Sequence, residues 1–418
     1  MLAVYRGDGG CGSAVPDRAA TFRRQYGRAM RFHCAIADGA DLEAACRTVA
    51  ADVRQELGPG PIDLAVLFAS PRYGPALERL PVLMHELLGA RTQIGCTGAA
   101  LLGAGRLLTN RHGIGVLAGR LPGVELQAVA IANGDLPNAD APPSAWHRLL
   151  PETKAPLRGM VVLTEPFHCD ARALLAGLDY GWPSVCKVGG IASGSRHPEG
   201  HALFVGRATH RSGGAILAMA GDITLEAVVS QGCRPIGRPG RITKAERNRL
   251  VTVDDSPAKL FVEEQLAGLA SRDLELAEHS PLFLGIASDP FAQMAPARGQ
   301  FLVRNILGID PDSGNLVVGD HLAVGRHVQL HLRDALSSEQ DLQTLLAMAK
   351  PQTAAAAMLF RCLGREGADH ERFAAFAHGV PLAGFHCNGE IGPVGGDTHL
   401  HGYTAVVALL RRGAAERS

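Results

Sequence analysis

Internal repetition constrains this chain more than any other feature. "IDLAVLFAS" (Ile62 to Ser70) is a short continuous apolar run, as a buried strand requires. "ALERLPVLMHELLGA" (Ala76 to Ala90) follows with mostly helical spacing, and Pro81 is placed to shift its start or kink it. A small-residue stretch, "TQIGCTGAALLGAGR", then leads into the strand-like "GIGVLAGRLPGVELQAVAI". About a hundred residues later the order returns. "LRGMVVLTE" reads as strand, "DARALLAGLDYGW" as helix, "CKVGGIASGSRHPEG" as a glycine-rich turn and "GGAILAMAGDITLEAVVS" as strand. "QIGCTGA" aligns with "KVGGIAS", and "GVLAGRLPGVELQAV" with "AILAMAGDITLEAVV". A looser third copy runs through "AAAMLFRCLGR", "DHERFAAFAHG", "VPLAGFHCNGEIGPVGGD" and "HGYTAVVALL".

Duplicated supersecondary units of this kind bury their apolar faces by stacking on one another. The expected fold class is therefore α/β of the mixed α+β kind. Strand-helix-turn-strand units form mixed sheets flanked by helices, followed by a strand-rich C-terminal domain. Ahead of the first copy, Leu42, Ala45, Cys46, Val49, Val53 and Leu57 lie at helical spacing, and "GPGP" stops that helix. Residues 1–30 are polar and rich in Gly and Arg, and are expected to be poorly ordered. Between the second and third copies, "CRPIGRPGRITKAERNRL" reads as a solvated charged hairpin. "SPAKLFVEEQLAGLA" reads as a helix with Ser256 as N-cap and Pro257 in its first turn. "PLFLGIA", "GQFLVRNILGID" and "GNLVVGDHLAVGRHVQLHLRDA" form short strands. The expected division is 1–30, then an α/β domain over 31–235 and an α+β domain over 236–412.

Lys+Arg and Asp+Glu both number 41, so no global charge footprint points to nucleic acid or an anionic membrane. The first residues lack the pattern of a secretory signal, and no stretch of 18 apolar residues reads as a membrane span. Nine cysteines occur without a CxxC pair, which suits reduced thiols in the cytoplasm. No GxxxxGK[ST] and no GxSxG is present, "GCTGAALLGAG" is not GxGxxG, and "HELLG" lacks the second His of a zincin.

In the first half "LAVLFAS", "QIGCTGA" and "KVGGIASG" carry a family resemblance. In the second half "GCRPIG", "FLVRNILGID", "VQLHLRDA", "MLFRCLGR", "PLAGFHCNGEIGP" and "THLHGYT" carry it, in order. Together these motifs resemble the FIST family, the paired N- and C-terminal FIST domains of prokaryotic sensory proteins. The resemblance implies an intracellular sensory module; with no known catalytic motif found, a non-enzymatic protein without a cofactor is expected. It would bind a small ligand such as an amino acid and signal through a partner protein. No kinase, cyclase or methyl-accepting output segment is seen, which implies a stand-alone sensor. The closing motif has Gly402 where the family pattern has Asn, which weakens any role for that position.

An amino acid or small carboxylate calls for a guanidinium, and a carboxylate for its amine. Within the FIST-like motifs Arg304 (with Asn305 beside it), Arg333 and Arg365 sit at the edges of apolar runs. Asn388 and Glu390 lie in a glycine-flanked turn, and Cys96 and Thr97 in the corresponding first turn. These eight residues are the expected ligand-binding set. Alternatives stay open. Cys387 beside His386 suggests a thiol-dependent hydrolase or transferase. Asp397, His399 and His401 at period two suggest a metal site on one strand face. A protein-interaction scaffold is the third reading.

Overall fold

The computed structural model describes residues 29–138, 140–289 and 300–413. The expectation for residues 1–30 therefore lies outside the described residues, except at its last two positions. The fold is a mixed α/β architecture built of three equivalent units and one insertion.

The first unit holds β1 (Arg31–Asp38), α1 (Leu42–Leu57), β2 (Ile62–Ala69), α2 (Leu80–Leu88), β3 (Ala90–Thr97), the short hairpin β4 (Ala100–Gly103) and β5 (Arg106–Thr109), and β6 (Gly113–Arg120). The second repeats it with β7 (Val124–Ile131), α3 (Pro143–His147), β8 (Leu157–Thr164), α4 (Ala171–Gly181), β9 (Cys186–Ile191), the hairpin β10 (Leu203–Val205) and β11 (Ala208–His210), and β12 (Gly214–Gly221). The third opens with β13 (Ile223–Gln231) and is then interrupted.

The insertion carries a seven-stranded sheet: β14 (Cys233–Glu246), β15 (Arg249–Val253), β16 (Ser256–Pro257), β17 (Leu282–Ala287), β18 (Phe301–Ile309), β19 (Leu316–Val318) and β20 (His327–Arg333). Two helices, α5 (Ala258–Ala267) and α6 (Ser271–His279), accompany it. The third unit resumes with α7 (Ala335–Ala349), β21 (Ala356–Cys362), α8 (Asp369–Phe376), β22 (Leu382–Cys387), the hairpin β23 (Glu390–Val394) and β24 (Asp397–His401), and β25 (Thr404–Arg412).

Each unit forms the same four-stranded sheet. Its last strand lies antiparallel between its first and second strands, and the second and third run parallel. Each unit also lends its hairpin to another. β4 pairs with β22, β10 with β3, and β23 with β9, so the exchange closes a ring of three. One shared core fills the ring, with Phe68, Cys96, Val161, Val188, Phe360 and Phe385 among its members. Separate outer cores lie under the helices of each unit and within the insertion. Both faces of these sheets are thus buried, which explains why their strands read as continuous apolar runs.

The small-residue stretches are not free turns: each is the parallel third strand of its unit running into the exchanged hairpin. A Cβ at Gly95, Gly189 or Gly384 would stand 2.0, 1.8 or 2.0 Å from the carbonyl oxygen of Leu67, Val162 or Leu359. The glycines are there because two backbones touch. They also fix the alignment of the copies, in which Cys96 corresponds to Gly190 and Phe385. Cys387 therefore lies two positions beyond the equivalent of Cys96.

Several local expectations are corrected. "GIGVLAGRLPGVELQAVAI" is two strands, β6 and β7, belonging to different units, and "GGAILAMAGDITLEAVVS" likewise splits into β12 and β13. Strand β1 and helix α7 carried no sequence expectation. Ser256 is not an N-cap. It pairs with Val253 in β15, and α5 begins after Pro257 without a side-chain cap. The charged run from Cys233, six basic residues against one acid, is the β14–β15 hairpin, as expected. The chain leaves the third unit after β13 and re-enters it only after β20.

Candidate functional site

At the ring centre the three strand ends lock one another. Thr97 donates its N–H to Ala202 O at 3.0 Å and accepts from Ser193 N at 3.1 Å. Ser193 Oγ donates to His386 O and accepts from Ala99 N. Asn388 Nδ2 donates to Ala192 O at 3.0 Å. Cys96, Thr97 and Cys387 are fully buried, and burial pushes both thiols well above their ordinary range. His386 is held down to about 4, by burial first and then by Arg361. A thiolate-imidazolium pair at Cys387 has no support in such surroundings.

Glu390 sits in the same interior. Its position in the exchanged hairpin corresponds to Leu101 and Leu203, because these three face Gly190, Phe385 and Cys96 across equivalent strand pairs. Two copies place leucine there and the third a carboxyl group. Glu390 Oε2 accepts Thr404 N at 3.1 Å, Oε1 meets no N–H or O–H donor, and the Cys362 thiol stands beside the carboxyl. Burial raises this carboxyl well above its usual value of 4.5. Replacing Glu390 with leucine is expected to stabilise the protein by about 1–3 kcal/mol at neutral pH. The sign follows from linkage. A folded-state value raised above the unfolded one stabilises fully below about pH 4.5, and that contribution fades as pH climbs through the folded value. Urea unfolding from pH 4 to 9 should show the native protein weakening relative to the leucine variant. Parallel pH curves would refute it.

Arg365 is also interior. Its Nε donates to both oxygens of Asp369 at 2.9 and 3.1 Å, and Nη1 donates to Ser230 O at 2.9 Å. Arg333 lies on the flank, donating to Glu366 at 2.5 Å with its guanidinium 5.5 Å from the Tyr403 ring centroid. Asn305 is exposed beside Arg304, and successive side chains of a strand point to opposite faces. The eight expected ligand residues thus do not converge on one place. Arg304 lines the cleft between α4, β24 and β18, Cys96, Thr97 and Glu390 are buried at the ring centre, and Asn388 is exposed at its edge.

That cleft has a volume of about 660 Å³, within the range of small-molecule sites. It lies where three parts of the chain meet: helix α4 of the second unit, hairpin strand β24 of the third, and β18 of the insertion. "DARALLAGLDYGW" folds as α4 because Asp170 caps it, accepting Ala173 N, while Leu174, Leu175 and Leu178 pack inward. The opposite face then presents Arg172, Ala176, Asp179 and Tyr180 to the cleft.

One wall of the cleft is positive. Arg172 Nη1 and Arg304 Nε each donate to Asp320 at 2.5 Å, so two guanidiniums share one carboxylate. Burial alone would raise the Asp320 carboxyl, but Arg304 and Arg172 outweigh it and hold it below the usual range. On the other wall Asp179 accepts Lys187 Nζ at 2.8 Å and binds Thr398 through its N–H and hydroxyl at 2.6 and 2.8 Å. Asp397 is exposed at the rim. His399 is kept neutral, chiefly by burial and then by Arg304, and its Nε2 is buried without a hydrogen-bond partner. Leu175, Leu302, Leu400 and Pro183 supply apolar surface between the walls.

Asp397, His399 and His401 do share the β24 strand. His401, however, is buried, contacts Gly392 O through Nε2 at 3.0 Å, and is held down to about 3 by burial. Among the described residues no group of three or more such side chains is placed to hold a metal ion. Sequence reasoning missed Arg172, Asp179 and Tyr180, although their helical spacing marks one polar face of α4. Asp320 carried no sequence signal, since it joins the cleft only through the folding of the insertion.

A ring of duplicated α/β units with a charged cleft at the seam of an inserted sheet defines the class of this protein. The chain belongs to the FIST family: the FIST N domain matches residues 63–256 and the FIST C domain residues 260–393. These domains are associated with sensing and signal transduction. An uncharacterised protein of Mycobacterium tuberculosis is 31% identical over 397 residues, covering 91% of this chain and 100% of that protein. A Mycobacterium bovis protein, also uncharacterised, is 29% identical over 397 residues, covering 91% and 99%. The crystal structure of a cyanuric acid hydrolase from A. caulinodans matches at TM-score 0.34 and 10% identity, covering 92% of this chain and 100% of that one. So loose a superposition carries no argument about function. No helix among the described residues is long and apolar enough to cross a membrane.

Proposed function

We propose that this protein is a non-enzymatic binding protein that takes a small zwitterionic metabolite, an amino acid or close analogue, in the cleft between α4, β24 and β18. One observation carries the reading. Arg172 and Arg304 share the single carboxylate of Asp320, leaving one wall with an unneutralised positive charge, while Asp397 stands on the other side. A zwitterion matches that polarity, with its carboxylate toward the guanidiniums and its ammonium toward Asp397. The buried, unpartnered Nε2 of neutral His399 supplies one more polar contact. The seam is also a suitable place for a signal, since a ligand there touches the ring and the insertion together. The same reading takes the protein as cytoplasmic and its output as a partner protein. The free thiols at all the described cysteines support the compartment.

A thermal-shift screen of the twenty amino acids, followed by calorimetry, tests this. A ligand at 100 times its Kd should add about 2.7 kcal/mol of stability. Arg304→Met is expected to weaken that ligand at least tenfold and Asp397→Asn to weaken it likewise. No shift with any amino acid, or a shift that both variants preserve, sinks the proposal.

A further inference from the structure

The ring makes each helix-hairpin crevice in triplicate, and the three copies differ in what fills them. In the first unit the crevice between α2 and the incoming β10–β11 hairpin is closed. Phe204 is fully buried with Leu77, Leu80 and Met84, and Thr209 Oγ1 donates to Leu77 O. In the second unit the crevice between α4 and β23–β24 is the charged cleft described above. In the third unit, α8 and the incoming β4–β5 hairpin flank a separate, half-open cavity of about 420 Å³.

Its walls are apolar. Leu102, Phe373, Ala377 and Leu382 belong to the outer core of this unit, and Cys34 closes one side. The cavity stays open because the chain supplies little to fill it. The hairpin turns through Gly103, Ala104 and Gly105, and α8 with the residue that ends it faces the hollow with Ala374 and Ala377. Where the first-unit crevice receives Phe204, the equivalent residue here is the shorter Leu102.

One arginine of the rim enters a pair like that of the second-unit cleft, although Asp38 and Arg111 lie outside the cavity lining. Arg106 lines the cavity and donates to Asp38 at 2.9 Å, while Arg111 donates to the other oxygen of that carboxylate at 3.2 Å. Two guanidiniums again share one aspartate. His33, His370 and His378 add imidazole edges, and Glu371 is the acidic lining residue. A half-open apolar hollow with a few polar groups at one edge is a usual form of a small-molecule site.

We propose that the α8/β4–β5 crevice is a second small-molecule site, taking a small monocarboxylate with an apolar body, such as an aromatic or branched aliphatic acid. The apolar body lies over Ala374, Ala377 and Phe373, and the carboxylate meets Arg106 at the rim. This site is independent of the charged cleft, with which it shares no lining residue.

Calorimetry with benzoate, isovalerate and, as a neutral comparator, benzyl alcohol tests it on the full chain. Benzoate or isovalerate is expected to bind saturably and at least tenfold more tightly than benzyl alcohol. Ala374→Trp fills the crevice from an exposed helix position and is expected to abolish binding. Arg106→Leu should weaken it about tenfold, and Arg304→Met should leave it unchanged, which separates this site from the charged cleft. Circular dichroism checks that each variant is folded. Absence of binding by both acids overturns the proposal. So does binding that survives both Ala374→Trp and Arg106→Leu, or binding lost in Arg304→Met.

Discussion

Asp369→Asn is expected to lower the unfolding free energy by about 3–5 kcal/mol, a large fraction of the 5–15 kcal/mol typical of a folded domain. Asp369 is almost wholly buried between two guanidiniums. Arg361 Nε donates to it at 2.7 Å, and Arg365 Nε at 2.9 and 3.1 Å. The remaining N–H groups of both arginines are spent on interior acceptors, among them Arg365 O, Gly367 O and Ser230 O. An amide keeps the shape but removes the carboxylate that both cations bind, leaving two buried charges without that compensation. Urea unfolding at pH 7 measures the loss. The exposed pair Arg333–Glu366 supplies the contrast, since Glu366 is 64% exposed and its removal should cost at most about 1 kcal/mol. Equal, small losses at both sites would show that the Asp369 cluster is solvated in the native state.

The second large effect is expected at Asp179. Its partner Lys187 is completely buried and donates to Asp179 at 2.8 Å and to Trp182 O at 2.5 Å. Asp179→Ala strands that ammonium in the interior, again at a cost of about 3–5 kcal/mol. It also cuts both hydrogen bonds that tie α4 to Thr398 of β24, so the charged cleft should lose ligand affinity together with stability. A double-mutant cycle separates the two effects. Lys187→Met in the Asp179→Ala background removes the stranded charge and should restore most of the stability. It cannot restore the tether to Thr398, so affinity should stay low. Full recovery of affinity in the double variant would show that the tether does not shape the cleft.

The repeat was legible because each unit needs the same local pattern. Ile62 to Ala69 and Leu157 to Thr164 are buried on both faces and so read as apolar runs. Asp170 and the leucines of α4 announce a capped amphipathic helix. The match of "QIGCTGA" to "KVGGIAS" was legible too, although it reads as turns what fold as strands. Glycine there answers to a neighbouring backbone, which no local rule can see. Helix α7 was missed because its buried residues are only Ser338, Leu342 and Leu346, too thin a stripe to stand out. Of the candidate ligand residues, Arg304 lines the cleft and Arg365 faces Asp369 instead. Both stand at the edge of an apolar run, so the sequence offers no means of telling them apart.

Periodicity, capping residues and glycine placement are local quantities, and from them the sequence alone settles the α/β class and the duplicated units, while its ordered motifs carry the family resemblance. The exchange of hairpins around the ring pairs strands far apart in the chain. It decides that Leu101, Leu203 and Glu390 are equivalent, and that two crevices stay open while Phe204 closes the third. Asp320 meets Arg172 across 148 positions of sequence. Contacts of that range depend on how whole sheets pack, and only the tertiary structure holds that information.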